Sequence, residues 1–507
     1  MNIQEFDFDP SLTPPQIFAA VREVFDTPCV LLESMSFDEK NKMSLIASCP
    51  VQEIITFKDS FDRIEKALKK TQKLESDISH FPFAGGLIGY FNFEILGEIE
   101  PQLSRESHVP HALFYEFSRF VFFDHERRKI VFMTRKDEPD FEITNKKLLS
   151  RAKEIPAKNI DPAELKSPEL ADFSPFISEQ TESTFSEKVQ YAKEQILNGE
   201  VFQMIVSNEF QKNVGTRDGL EFYEVLRAIE PTTHLYLLDF GEHGQVVGAS
   251  PEILGSKRET HVLYRPIAGT RFRGRTDEED QKILQEMCND PKENAEHDML
   301  VDLGRNDLGK ICKTGTVRIV REKYGKFFAN VMHLITDIAG EIEDDMNSVD
   351  FFKAIQPAGT LTGAPKLRAI ELIQKLETHP RDIYGGAVGY FSADGNMEFA
   401  IAIRTFFLQN SIARFRVGAG IVQDSVPHKE WLEVHNKAKT LVKIFNFLEN
   451  AEKGISNLNK NGLKKIGIHI PLFLEAKRGK KIPISSILLK SRFLLLCGPK
   501  WREFLSN

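Results

Sequence analysis

An α+β fold is predicted by three features of the chain. Short runs rich in branched and aromatic residues read as strands, helical stripes carry recognisable caps, and the two kinds of signal alternate through most of the length. At 507 residues the chain exceeds what one ordinary core organises, so more than one domain is expected.

Taken in order, residues 1–155 mix apolar runs such as Val51–Phe57 and Phe120–Met133 with a turn signal at Gly85-Gly86, so strands with a few helices fit this first lobe. Residues 156–181 turn to Pro, Asp, Glu, Lys and Ser with little periodicity and read as a linker. A second domain spans 182–450. It opens on a helix: Thr184 and Glu187 have capping-box spacing, Phe185, Val189, Ala192 and Ile196 form one stripe, and Gly199 sits where a C-cap belongs. The run Val201–Val206 follows as a strand. Near the end, Trp431, Val434, Ala438, Leu441, Phe445 and Leu448 share one face of a helix. Residues 454–507 carry eleven Lys and Arg against two acidic residues, with isolated apolar patches and no sustained helical stripe. A basic, poorly ordered extension is expected there in preference to a membrane-binding arm.

Composition removes several classes of function. A net charge of -8 argues against general nucleic-acid binding, which needs a basic surface. The five cysteines, Cys29, Cys49, Cys288, Cys312 and Cys497, include no CxxC pair, so reduced thiols are expected rather than zinc knuckles or a disulfide framework. The acidic N-terminus lacks the apolar core of a signal peptide, and no stretch approaches the roughly 20 apolar residues of a membrane span. A cytoplasmic enzyme without nucleic-acid or membrane partners is expected.

Chemistry-bearing residues come in small groups. Asp290-Pro291 reads as an N-cap followed by Pro at the first helical position, which sets Glu293 and Glu296 three apart on one helix face. Glu430 and Glu433 repeat that spacing at the start of the Trp431 helix. Either pair alone is ordinarily a solvated face; four carboxylates from two helices could meet around a hard cation such as Mg²⁺. Glycine-rich turns at Gly269-Thr270, Gly359–Gly363, Gly385-Gly386 and Gly418–Gly420 are simple turns or places where backbone amides approach a carboxylate. Arg404 ends the apolar alternation Phe399–Ile403, where a guanidinium suits either a structural salt bridge or bidentate capture of a carboxylate. His333 lies in an apolar setting that more often holds a core histidine than a catalytic one. From the residues alone, the reading stops at metal-assisted chemistry on a small polycarboxylate.

Read together, GEVFQMIVS, VGASPE, RPIAGTRFRG, AEHDMLVDLGRND, NVMHL, QPAGTLTGAPK, YGGAVGY, AIRT and VGAGIVQDS resemble the chorismate-utilising enzymes, in particular the anthranilate synthase component I branch. They follow family order over about half the chain, and LLES and GGLIGYF resemble the family's N-terminal lobe. The resemblance implies two facing antiparallel sheets with helices outside and a cleft between them. It makes residues 1–155 the N-terminal regulatory or structural lobe and 182–450 the chorismate-binding catalytic domain. It places Mg²⁺ on Glu296 and Glu433, with Glu293 and Glu430 held through waters. Chorismate would meet Gly418, Ala419, Gly420, Tyr384, Arg404, Lys437 and Thr360, with Gly269 and Thr270 lining the pocket. Glu252 would be general acid for the departing C4 hydroxyl, and His333 a participant in the loss of pyruvate.

Two positions narrow the implied reaction. Relatives that add water carry Lys where this chain has Gln203, and Gln cannot act as a base. Many aminodeoxychorismate synthases show PIKGT where this chain has Ala268, so anthranilate is favoured over the para isomer, which stays the runner-up. A silent subunit that binds an aromatic amino acid is a third reading, opposed by the full set of glutamates with Glu252 and Arg404. No Gly-x-Cys-x-Gly elbow surrounds any cysteine, so ammonia is expected from a separate glutamine amidotransferase subunit in a hetero-oligomer, or from free ammonium. The family's tryptophan-feedback site uses the LLES serine, here Ser34, with a segment like NPSPYM. This chain reads Glu230-Pro231-Thr232-Thr233-His234-Leu235 there, so inhibition by tryptophan is expected to be weakened or lost.

Overall fold

Hydrophobic alternation in the strands builds the core. In the strand Gly86–Phe91, Ile88 and Tyr90 fall in one apolar cluster while Leu87 and Phe91 fall in another, as the two-residue period of a strand requires when both faces are covered. The first cluster is drawn almost wholly from strands, among them Val30, Leu45, Leu113, Val131, Leu238 and Val388, and so packs sheet against sheet. The second sets Phe399, Ile401 and Val262 against helical residues such as Ile64, Val301, Phe352 and Ile355. Sheet layers lie inside and helices outside, the chorismate-binding arrangement.

The computed structural model describes residues 2–33, 43–71, 83–158, 160–230, 232–327, 331–466, 473–475 and 481–483. Two compact units are present, Met1–Phe447 and Leu448–Asn507. Among the described residues of the first, 20 strands join in one hydrogen-bonded network. Strands of the first 155 residues ladder directly onto later ones: Cys29–Glu33 pairs antiparallel with His234–Asp239, and Gly86–Phe91 with Ala387–Ser392. The abundance of Phe is used here, since Phe91 stacks on Phe352 at 4.3 Å and Phe391 packs on Phe399 at 4.9 Å. In the second unit, Phe473–Glu475 and Lys481–Pro483 pair antiparallel. Most of the basic extension lies outside the described residues, and with it the expectation about its order. Among the described residues no helix is long and apolar enough to cross a membrane.

Local signals land near where expected, with three shifts: the strand expected at Val201–Val206 runs Gln203–Asn213, Gly269-Thr270 and Gly418–Gly420 lie inside the strands Ile267–Phe272 and Ile412–Ile421 and not in turns, and one helix cap moves. The helix expected after the 156–181 stretch runs Glu182–Leu197, and its capping box uses Thr181 and Thr184 in place of Thr184 and Glu187. Phe185, Val189 and Ala192 are its buried stripe, and Gly199 follows with φ +76. The 156–181 stretch contains two 3₁₀ turns and a two-residue strand, Ile177–Ser178, paired to Phe210 and Gln211. The late helix spans Pro427–Ile466. Cys29 and Cys312 are buried free thiols, and burial pushes the Cys312 thiol up to about 11.

Candidate active site

Two helix starts supply the carboxylates. Asp290 caps the helix Pro291–Gly309, its carboxylate accepting the Glu293 N–H at 3.3 Å. The Glu293 side chain pairs with Arg271 Nη1 at 2.5 Å. Glu296 accepts a hydrogen bond from Gln203 Nε2 at 3.1 Å. On the helix Pro427–Ile466, Glu433 pairs with Lys437 Nζ at 2.8 Å, and the same ammonium donates to the Gly418 carbonyl at 3.0 Å. Glu430 lies one turn before Glu433, in the helix's first turn. Among the described residues no three acidic, His or Cys side chains gather closely enough to hold a metal. Like charges repel, and Glu293, Glu296 and Glu433 are each drawn to a cationic or amide donor instead. The donors are all carboxylate oxygens, the chemistry a hard cation prefers, so the residues fit Mg²⁺ better than a softer metal.

A strand ladder forms the adjoining wall. Gln203–Asn213 pairs with Ile412–Ile421 in a register that sets Gly418 against Ser207 and Gly420 against Ile205. The Gly418 carbonyl faces Lys437. Amide and carbonyl of one strand residue point the same way, and residues two apart share that direction, so the Gly418 and Gly420 N–H groups both face the Lys437 side. An added side chain there would crowd its neighbours. A Cβ on Gly420 would stand 2.5 Å from Gln203 Nε2, and one on Gly418 2.8 Å from the Tyr384 hydroxyl. Gly363 and Gly386 instead let backbone pass backbone, 2.1 Å from the Gln203 carbonyl oxygen and 2.2 Å from that of Phe91 on the same test.

Proton-handling groups complete the constellation. Glu252 lies between the strands Gln245–Ser250 and Ile253–Arg258, and its carboxyl accepts from Thr360 Oγ1 at 3.0 Å. Burial pushes this carboxyl up to about 8, with the Thr360 contact opposing the shift. Tyr384, within reach of the Glu252 charge, is raised by burial to about 12 and stays a neutral donor. His333 sits on the strand Val331–Glu341, beside the strand Ile267–Phe272 that carries Gly269. Its Nδ1 is 2.9 Å from the Gly269 carbonyl, which can only accept, so Nδ1 carries the proton and Nε2 the lone pair. Burial lowers His333 to about 4, and Arg404 and Lys437 push the same way. Both cations therefore lie within charge range of the imidazole.

Arg404 stands three residues past the strand Met397–Ile401 with φ +49, and its Nη1 is 2.8 Å from Glu230 Oε2. That ion pair, between residues 174 apart, has no local signature in the sequence. Ser34 lies outside the described residues, as does the side chain of Thr270, whose backbone pairs with His333. Thr233 donates to the Pro251 carbonyl at 3.1 Å, and His234 Nε2 lies 3.1 Å from Glu398 Oε1, so this segment is tied into the framework beside Glu252. A separate cavity of about 440 Å³, lined by Pro50, Tyr115, Phe240 and His243 among others, includes none of these site residues.

Comparison with known proteins agrees with this architecture. The chain belongs to the chorismate binding enzymes, whose family model matches residues 27–443. It is 36% identical over 462 residues to anthranilate synthase component 1 of Lactococcus lactis, covering 87% of this chain and 99% of that protein. The corresponding protein of Aquifex aeolicus is 38% identical over 408 residues, covering 78% and 81%. The crystal structure of anthranilate synthase component I from Streptococcus pneumoniae superposes with a TM-score of 0.68 at 32% identity, covering 87% of this chain and all of that one.

Proposed function

We propose that the chain is the aminating subunit of an anthranilate synthase, a cytoplasmic Mg²⁺-dependent lyase. It would convert chorismate and ammonia to anthranilate and pyruvate, with ammonia delivered by a separate glutamine amidotransferase subunit in a hetero-oligomer. The observation that carries the reading is the buried Glu252 carboxyl, held by Thr360 and raised to about 8, within a chain similar over most of its length to component 1 proteins.

Chorismate is a dianion. Its carboxylates would lie against Arg404, Lys437, the outward amides of Gly418 and Gly420, and the Tyr384 and Thr360 hydroxyls, with Ala419, Gly269 and Thr270 completing the wall. Glu296 and Glu433 would hold Mg²⁺ directly and Glu293 and Glu430 through waters; bound there, the ion supplies positive charge that neutralises a substrate carboxylate. Ammonia adds at C2 while Glu252, protonated at neutral pH, gives its proton to the C4 oxygen, which departs as water. The C2 ammonium loses a proton; the ring C3–O bond then breaks as the C2–H proton is removed, the ring becomes aromatic, and the released enolpyruvate takes a proton on its methylene carbon to become pyruvate. His333, neutral with its lone pair on Nε2, is assigned to this second stage. Gln203 offers an amide and no base, so water is not activated and amination prevails. Feedback by tryptophan at a Ser34-containing site is proposed to be weak, because Thr233 and His234 replace the family's segment.

The test is product identification after incubation with chorismate, Mg²⁺ and ammonium. Anthranilate and pyruvate in equal amounts are expected. Aminodeoxychorismate or isochorismate as the main product would overturn the proposal.

A further inference from the structure

The Glu230–Arg404 pair is unusual in where its carboxylate stands. Glu230 is the C-cap of the helix Gly219–Ile229, its N–H bonded to the Leu226 carbonyl at 2.8 Å. A carboxylate at a helix C-terminus faces the negative end of the macrodipole, an unfavourable position that a nearby cation must offset. Its ion-pair partner is Arg404, and the two side chains are 18% and 29% exposed.

The contact uses only part of the guanidinium. Glu230 takes Nη1 through one oxygen, while Nε and Nη2 of Arg404 have no hydrogen-bond partner among the described residues. A guanidinium binds a carboxylate bidentately through two neighbouring N–H groups on one edge. The main chain is anchored too, since the Arg404 carbonyl accepts from Ala249 N at 3.2 Å. One nitrogen held, the backbone fixed and the Nε–Nη2 edge open make a pre-set clamp.

We infer that Glu230 is a positioning residue: it holds Arg404 by Nη1 so that the remaining Nε–Nη2 edge is presented to a carboxylate of the substrate. This rests on the reading of Arg404 as a substrate-carboxylate ligand. Ordering the long arginine side chain beforehand spares that cost when the substrate arrives.

Steady-state kinetics on the full chain with ammonium test it through three variants. Glu230→Ala frees the guanidinium, and KM for chorismate should rise about tenfold with kcat changed less than about threefold. Glu230→Gln keeps an oxygen acceptor and removes a competing charge, so its KM should equal or fall below that of the unmodified chain. Glu230→Ala in an Arg404→Ala background should add nothing. Equal KM increases in the Ala and Gln variants, or additive losses in the double variant, would overturn the inference. If Arg404→Ala alone leaves KM unchanged, the reading of Arg404 fails. If Arg404→Ala matters and Glu230→Ala does not, only the role of Glu230 fails.

Discussion

Replacing Glu252 with Gln should damage catalysis and strengthen the fold together. An ordinary glutamate titrates near 4.5, and burial moves this one to about 8. The folded protein therefore binds a proton that the unfolded chain gives up. Stability is unaffected below about 4.5 and is lost progressively as pH rises from there to about 8. Each tenfold change in the protonation constant corresponds to about 1.4 kcal/mol, so the carboxyl costs on the order of a few kcal/mol at pH 8. Gln keeps the shape, accepts from Thr360 and carries no charge. Denaturant titrations should show the variant and the parent alike near pH 4.5, with the variant gaining a few kcal/mol by pH 8. Turnover should fall in the opposite sense, by roughly 10² to 10⁴ for loss of a general acid. In the parent, the rate at constant free ammonia should be level below about pH 8 and drop about tenfold per unit above it, because only the protonated carboxyl donates. A rate level to pH 9.5, or a Gln variant with full turnover and no stability gain, would refute the reasoning.

Three further outcomes are expected. Glu296→Gln or Glu433→Gln should nearly abolish turnover and weaken Mg²⁺ binding by calorimetry while circular dichroism is unchanged; full activity at low Mg²⁺ would remove the metal assignment. The isolated chain should make anthranilate with ammonium salts and none with glutamine alone, measured by fluorescence and chromatography, until an amidotransferase subunit is added. Gly420→Ala should push the Gln203 amide off Glu296, since the added methyl would stand 2.5 Å from Nε2; a loss of about tenfold or more in kcat/KM is expected, with Tm within a few degrees of the parent.

Much of this arrangement was legible in the sequence because it is local. Asp290-Pro291 capped a helix as its spacing foretold, whereas the glycines of Gly418–Gly420, which read as a turn, stand in a strand where an added methyl would crowd Tyr384 and Gln203. The cap at Thr181 was misjudged by three residues because Thr181 and Thr184 satisfy the same spacing as Thr184 and Glu187, and both registers leave the Phe185 stripe buried. Pairings across long stretches of chain carry no periodic trace. Nothing near Arg404 points to Glu230, and nothing in the pattern of the four glutamates shows that Arg271, Lys437 and Gln203 hold three of them. The shared ladder between the first 155 residues and the later strands is invisible for the same reason, since an all-buried strand such as Gly86–Phe91 looks alike whichever neighbour it takes.

That ladder also bears on how the protein is made. The strand Gly86–Phe91 finds one neighbour, Ala112–Asp124, soon after synthesis, but the other, Ala387–Ser392, emerges about 300 residues later. At typical elongation rates the growing chain spends roughly 15 to 60 s with the apolar sequence Leu87-Ile88-Gly89-Tyr90-Phe91 bare along one edge. Such an edge invites pairing with a neighbouring nascent chain on the same message. Slower growth at low temperature or a co-expressed holdase should raise the soluble yield, and fragments ending before Ala387 should collect in inclusion bodies.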